Sequence, residues 1–234
     1  DLNCYLIREL NAMAEIANEF GYYSDATQFN DHAAQLAKLV NDIFWDEKDA
    51  FYYDRNERKN ELVRYKSIAG FIPLWVGIAP AERAQVLIEK HLLNTNEFWV
   101  NYPVATWSKD DCNYYQQRKN KECNWMGATW IPTNYMVFHG LVKYNYKEAA
   151  KELAYKTFNM ALAESTTREY YNGETGSGQG LNPFWGWSSL AYLMPIEYEL
   201  GYDPTDIERR NFMILSNATK YFATITSGQN TVCK

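Results

Sequence analysis

The chain has 234 residues, enough for one substantial domain, and its 47% hydrophobic content can fill a core. A formal charge of −6, from 29 acidic against 23 basic residues, argues against an electrostatic grip on nucleic acid or an anionic membrane and suits a neutral ligand. No stretch approaches the roughly 20 apolar residues of a membrane span, and the opening DLNCYLIREL is charged and helical rather than an export signal, so a signal, if the protein is secreted, lies upstream.

Taken in chain order, Leu2, Tyr5, Leu6, Leu10, Met13, Ile16, Ala17 and Phe20 recur at three- and four-residue steps and predict a first helix, with Gly21 as its C-terminal stop. Ser24 or Asp25 is placed to cap a second helix, in which Ala26, Phe29, Ala33, Leu36, Val40, Ile43 and Phe44 repeat the pattern up to Trp45. Residues 50–54 (AFYYD) read as a strand or extended loop. A third helix is expected over about 68–76, interrupted by Pro73, and a fourth from Pro80 to Leu93, with Gly77 as the break between them.

Segment 94–124 shows no sustained period and is rich in Tyr, Trp, Asn and charge, which marks a long loop of the kind that is functional or disordered. Helices are expected again over about 131–144, 147–163 and 187–200, and beyond Pro204 to roughly Ala223. No alternation long enough for a sheet is present. The fold class is all-α, one helical domain over 1–234, with helical hairpins in series and elaborate loops between them. Such a series closes into a toroid or extends as a solenoid, and the long aromatic loops favour the toroid.

Aromatic content is 16%, with 8 Trp and 19 Tyr, more amphipathic rings than a core alone needs. A flat apolar face with one polar handle suits a wall that stacks on sugar rings and hydrogen-bonds their hydroxyls. Two clusters concentrate the chemistry. In CNWMGATWIPTNY (123–135), Trp125 and Trp130 flank Gly127 just ahead of a helix, among polar neighbours that suggest a lined pocket. In REYYNGETGSGQGLNPFWGWS (168–188), Glu169 is expected at a helix end and the start of a loop, hemmed in by aromatics including Trp185 and Trp187. Gly173, Gly176, Gly178 and Gly180 there let the backbone turn and approach a ligand. Glu174, by contrast, reads as a solvated turn residue.

The remaining candidates are weaker. His32, His91 and His139 lie far apart on separate helices without HxxxH or HExxH spacing, so no metal site or triad is expected. Cys4, Cys112, Cys123 and Cys233 form no CxxC pair; Cys112 and Cys123 could close a small loop, but isolated buried thiols are the preferred reading. Asp110 and Asp111 read as solvated loop charges, while Tyr102 and Trp107 in the same loop could add a sugar-facing wall. Asn217-Ala218-Thr219 matches the N-glycosylation pattern.

NWMGATWIPTNYMVFHGLVKY resembles the YWRGPVWINTNYLV segment of (α/α)6-barrel glycosidases, and REYYNGETGSGQGLNPFWGWSSLAYLM resembles their ENYDP…TG…G…FSWSA segment. Together with GFIPLWVGIAPAERAQVLIEKHLL and DLNCYLIREL they resemble glycoside hydrolase family 63, its mannosylglycerate-hydrolase-like branch above all; family 37 trehalases share weaker versions. The resemblance implies the C-terminal half of an (α/α)6 barrel and inverting hydrolysis of an α-glucoside or α-mannoside without a cofactor. Glu169 matches the family's general base, and Trp125 and Trp130 match its sugar-pocket tryptophans. The family's Arg after the first Trp is Met126 here and its preceding Tyr is Asn124. Its general acid, an Asp upstream of DLN, lies before residue 1. The implied partners are a carbohydrate substrate and the other half of the barrel, supplied by an N-terminal part, another copy or another polypeptide, and this chain alone is expected to be inactive. The competing readings are a non-catalytic carbohydrate-binding half-barrel and a protein-binding helical scaffold with an aromatic interface.

Overall fold

The apolar period of the first forty residues produces two long helices, α1 (Leu2–Glu19) and α2 (Tyr23–Ile43), packed against each other as an antiparallel hairpin. Gly21, at φ +77°, makes the turn between them, a conformation in which a side chain is strained. The computed structural model describes residues 1–117, 123–181 and 183–201. α2 begins ahead of the expected Ser24 or Asp25 cap: Tyr22 stands at the N-cap without a side-chain hydrogen bond, and Asp25 falls in the first turn, where its charge suits the helix N-terminus.

The aromatic AFYYD segment is extended, as expected. β1 (Trp45–Asp46) pairs with β2 (Phe51–Tyr52), and β3 (Asp54–Asn56) with β4 (Glu61–Val63), both antiparallel. A third ribbon joins β5 (Tyr170–Tyr171) to β6 (Gly178–Gln179). These ribbons of two and three residues are an addition to the expected helical picture. They are too short for alternation to register in a sequence.

Residues Ile68–Phe71 form a 3-10 turn that runs into α3 (Ile72–Val76), so Pro73 sits in the first turn of α3, where its missing N–H costs nothing, and does not interrupt a longer helix. Gly77, left-handed at φ +82°, ends α3. α4 (Ala81–Val86) starts after Pro80 and continues as a π-helical segment, Leu87–Leu92. α5 (Ile131–Lys143) and α6 (Lys147–Leu162) form the next hairpin, and α7 (Leu190–Leu200) follows a 3-10 turn at Gly186–Ser189. The helix expected beyond Pro204, Cys233 and the Asn217 glycosylation pattern lie outside the described residues.

α5 is the centre of the arrangement, touching α3, α6 and α7. Gly140 makes its closest approach to α3 possible, since a Cβ there would stand 3.0 Å from Leu74 Cβ. The main core gathers Ile7, Phe51, Phe71, Leu74, Phe98 and Phe138, among others, around this contact. Asn134, buried in α5, ties the long loop to the helices: its Oδ1 accepts from Val104 N–H (2.9 Å), and its Nδ2 donates to Pro103 O (2.8 Å) and Thr157 Oγ1 (3.0 Å). Asn134 of the TNY segment therefore anchors the loop rather than lining a pocket, whereas Thr133 faces a cleft.

Candidate active site

Glu169 does not end a helix. α6 stops at Leu162, and Glu169 directly precedes β5 and is only 4% exposed. Its backbone is pinned on both sides: Ser188 Oγ donates to Arg168 O (2.6 Å) and Trp187 Nε1 donates to Glu169 O (3.1 Å). The carboxylate is held as well. Leu181 N–H donates to Oε2 at 3.1 Å and the Cys123 thiol donates to Oε1 at 3.2 Å. Gly180, at φ +111°, packs directly on it, and a Cβ at that position would stand 2.3 Å from Glu169 Cβ. The close approach that Gly180 permits is to the Glu169 side chain itself.

The aromatic residues near Glu169 form a column. Trp125 stacks on Trp130 with centroids 4.0 Å apart and an interplanar angle of 12°, and Trp130 stacks in turn on Tyr170 at 5.0 Å and 21°. Trp130 is 3% exposed, and its Nε1 donates to Asn124 O (2.7 Å), so it backs the column. Trp125 is 45% exposed and offers the free ring. Trp187, 41% exposed, tilts against Trp130 at 6.0 Å and against Trp185 at 4.6 Å.

Trp107 shares a cleft of about 300 Å³ with Trp125, walled also by Tyr5, Asp54, Ser67 and Thr133. Tyr102 is placed elsewhere. It lines a separate hollow with Asn101, Lys156, Asn159 and Glu174, and its ring packs on Gly176. The structure therefore brings together Glu169, Trp125, Trp130, Trp185 and Trp187, joins Trp107 to Trp125 across the cleft, and leaves Tyr102 apart.

Several expectations change. Cys112 and Cys123 are unbridged and exposed rather than buried; Cys4 is the buried thiol among those described, and burial pushes its pKa up to about 11. Asp110 is paired rather than merely solvated, accepting from Ser108 Oγ (2.6 Å) and Lys66 Nζ (3.0 Å). Burial works to raise its carboxyl, but these bonds outweigh burial and hold it below the ordinary value. Glu174 is engaged by Lys109 Nζ at 2.7 Å and Tyr114 OH at 3.3 Å. Asn124, standing where the resembled family has Tyr, is buried and structural: Oδ1 accepts from Met126 N–H and Nδ2 donates to Tyr115 O.

Cys123, Tyr170 and Leu181 were not among the expected site residues. Tyr170 adjoins Glu169 in sequence and could have been suspected; the roles of Cys123 and the Leu181 amide depend on loop geometry alone. No group of three His, Cys, Asp or Glu side chains able to hold a metal is found among the described residues, and no helix among them is long and apolar enough to cross a membrane.

A family model for the mannosylglycerate hydrolase MGH1-like glycoside hydrolase domain matches residues 1–188. Mannosylglycerate hydrolase from Thermus thermophilus is 30% identical over 156 residues, covering 65% of this chain and 34% of its own length. Cytosolic neutral trehalase from Kluyveromyces lactis is 29% identical over 181 residues, 68% of this chain and 24% of the relative. The crystal structure of a family 63 mannosylglycerate hydrolase from Thermus thermophilus in complex with glucose superposes with a TM-score of 0.70 at 23% identity, over 82% of this chain and 46% of that one. The helical hairpins thus share the fold of that enzyme, and the chain spans about a quarter to a half of the length of these relatives. The chain belongs to the mannosylglycerate hydrolase MGH1-like glycoside hydrolase domain family.

Proposed function

We propose that this chain forms the base-bearing part of the active site of an inverting glycoside hydrolase acting on an α-glucoside or α-mannoside. The observation that carries the reading is the setting of Glu169: a nearly buried carboxylate, held at each oxygen by one donor among the described residues and placed beside an aromatic column that ends in an exposed indole. Each carboxylate oxygen keeps a lone pair, so one can still accept a proton from water.

In the inverting mechanism one carboxylic acid protonates the leaving oxygen and a second carboxylate activates water on the opposite face of the sugar, the two standing roughly 6.5–9.5 Å apart. Glu169 takes the second role. Its proton is received from the water as the water oxygen bonds to the anomeric carbon and the glycosidic bond breaks. The acid is the second carboxylate of the pair, and this reading assigns only the base to residues 1–234. Trp125 offers its free face to the apolar side of a pyranose, with Trp107 across the cleft. Relatives named as mannosylglycerate hydrolases and trehalases support a sugar substrate of this class.

The test uses the full-length protein with a panel of α-glucosides and α-mannosides, reading the anomeric form of the released sugar by NMR. Release of the β-anomer is expected first. Glu169→Gln is expected to reduce kcat by at least about 10³-fold while sugar affinity stays within a few-fold. Full activity of Glu169→Gln removes Glu169 from the mechanism.

A further inference from the structure

The loop that carries Trp125 and the segment that carries Glu169 meet in a single antiparallel rung. Thr129 N–H donates to Tyr171 O at 2.8 Å, and Tyr171 N–H donates back to Thr129 O at 2.9 Å. In an antiparallel ladder the next hydrogen-bonded pair lies two residues further along each strand, which here is Gly127 opposite Gly173. That pair does not bond directly. The carboxamide of Gln116 stands between them: Gly173 N–H donates to Gln116 Oε1 at 2.7 Å, and Gln116 Nε2 donates to Gly127 O at 2.8 Å. The amide of one side chain thus takes the place of an intervening peptide group.

The two backbone groups left over from the absent rung are satisfied elsewhere. Gly127 N–H donates to Thr106 Oγ1 at 3.2 Å, and Gly173 O accepts from Tyr102 N–H at 2.7 Å. The glycines are required by the close fit. Gly127 has φ +142° and a Cβ there would lie 2.7 Å from Tyr115 O, while a Cβ on Gly173 would lie 2.9 Å from Val100 Cγ2 and 3.1 Å from Gln116 Nε2. The neighbouring segment continues the support: Tyr115 N–H donates to Met126 O (2.8 Å), and Asn124 Nδ2 donates to Tyr115 O (3.0 Å). The loop so held presents Trp125 to the cleft and the Cys123 thiol to Glu169.

We propose that Gln116 is a positioning residue, an inserted rung that spaces the Trp125 loop from the Glu169 segment and so sets the sugar platform against the base. Its catalytic consequence rests on the reading of Glu169 given above; its structural role does not. Through both ends of its carboxamide Gln116 holds backbone, and it takes no part in proton transfer. An error of about an ångström in such a placement can cost roughly a hundredfold in rate, so removal of the rung is expected to act on turnover.

The experiment compares Gln116→Ala and Gln116→Glu with the unaltered full-length protein, by residue-resolved amide hydrogen exchange and by kinetics on the best α-glycoside. In Gln116→Ala the Gly173 amide is expected to exchange at least about tenfold faster while the Thr129 and Tyr171 amides are unchanged, and kcat to fall about tenfold or more with KM within about twofold. Gln116→Glu keeps the acceptor for Gly173 N–H but not the donor to Gly127 O. It should keep Gly173 protected and yet lose turnover. Unchanged exchange at Gly173, equal loss of protection at Thr129 and Tyr171, or unchanged kcat in Gln116→Ala each overturns the proposal. Should the unaltered protein show no turnover that depends on Glu169, the hydrolase reading fails, and exchange at Gly173 alone then decides whether Gln116 is the rung.

Discussion

The most constrained position of the candidate site belongs to a glycine. Gly180 combines a φ of +111° with contact against Glu169 on the side where a Cβ would point. Gly180→Ala therefore has two faults: a backbone conformation costing about 1–3 kcal/mol for an L side chain, and a methyl group that must push Glu169 or the Leu181 amide away. The expected outcome in the full-length protein is a fall in kcat of about a hundredfold or more with a modest loss of stability, read by steady-state kinetics beside thermal melting. Activity within twofold of the unaltered protein would show that the Gly180–Glu169 contact does not set the base. The glycine was legible in the sequence as one of four in a loop. Which of the four meets the carboxylate was not, because that depends on how β5 and β6 pair.

At the scale of elements, the helices were legible because each long helix carries its own period of apolar residues, and α1, α2, α5 and α6 lie close to the expected bounds. The loop of segment 94–124 was legible only as a loop. Its order comes from partners far away in sequence, such as Asn134 with Pro103 and Gln116 with Gly173, and no local pattern encodes these. The same holds for the polar brace that fixes Trp107's wall to the helices. Glu97 receives Lys66 Nζ at 2.8 Å and His91 Nδ1 at 2.8 Å, Lys66 reaches on to Asp110, and Ser67 bridges to Trp107. Burial works to raise the Glu97 carboxyl, but the bonds from His91 and Lys66 outweigh it and hold the group below the ordinary carboxylate range. A carboxylate depressed in the folded state adds stability above its unfolded pKa of about 4.3, and that stability is lost as pH falls through the folded value. Glu97→Gln removes the charge that His91 and Lys66 face while Lys66 keeps Asp110, and is therefore expected to lower the unfolding free energy by about 1–3 kcal/mol at neutral pH. The gap should narrow below about pH 4, as urea melts at several pH values would show; a gap that stays constant into acid would mean that the Glu97 charge contributes nothing.

For the whole molecule the decisive feature is α1. Cys4, Ile7, Ala14 and Ala17 face inward, yet Leu2, Leu6, Met13, Ile16 and Phe20 remain exposed, Phe20 by 75%, so both sides of this helix are apolar. Burying a large apolar side chain contributes about 1.5–3 kcal/mol relative to leaving it in water, and five in a stripe along one helix make a patch of the kind that monomers seldom present. The relatives that share this fold are longer than the region matched, which agrees with a toroid whose remaining hairpins pack on such a face. Residues 1–234 prepared alone are therefore expected to self-associate at micromolar concentration. Replacing Leu6, Met13 and Ile16 with Gln, at positions outside the main core, should restore a monomer without loss of helical signal, with sedimentation equilibrium and circular dichroism as the measurements. Unaltered residues 1–234 that stay monomeric at those concentrations would mean that the exposed side of α1 is not a surface needing cover.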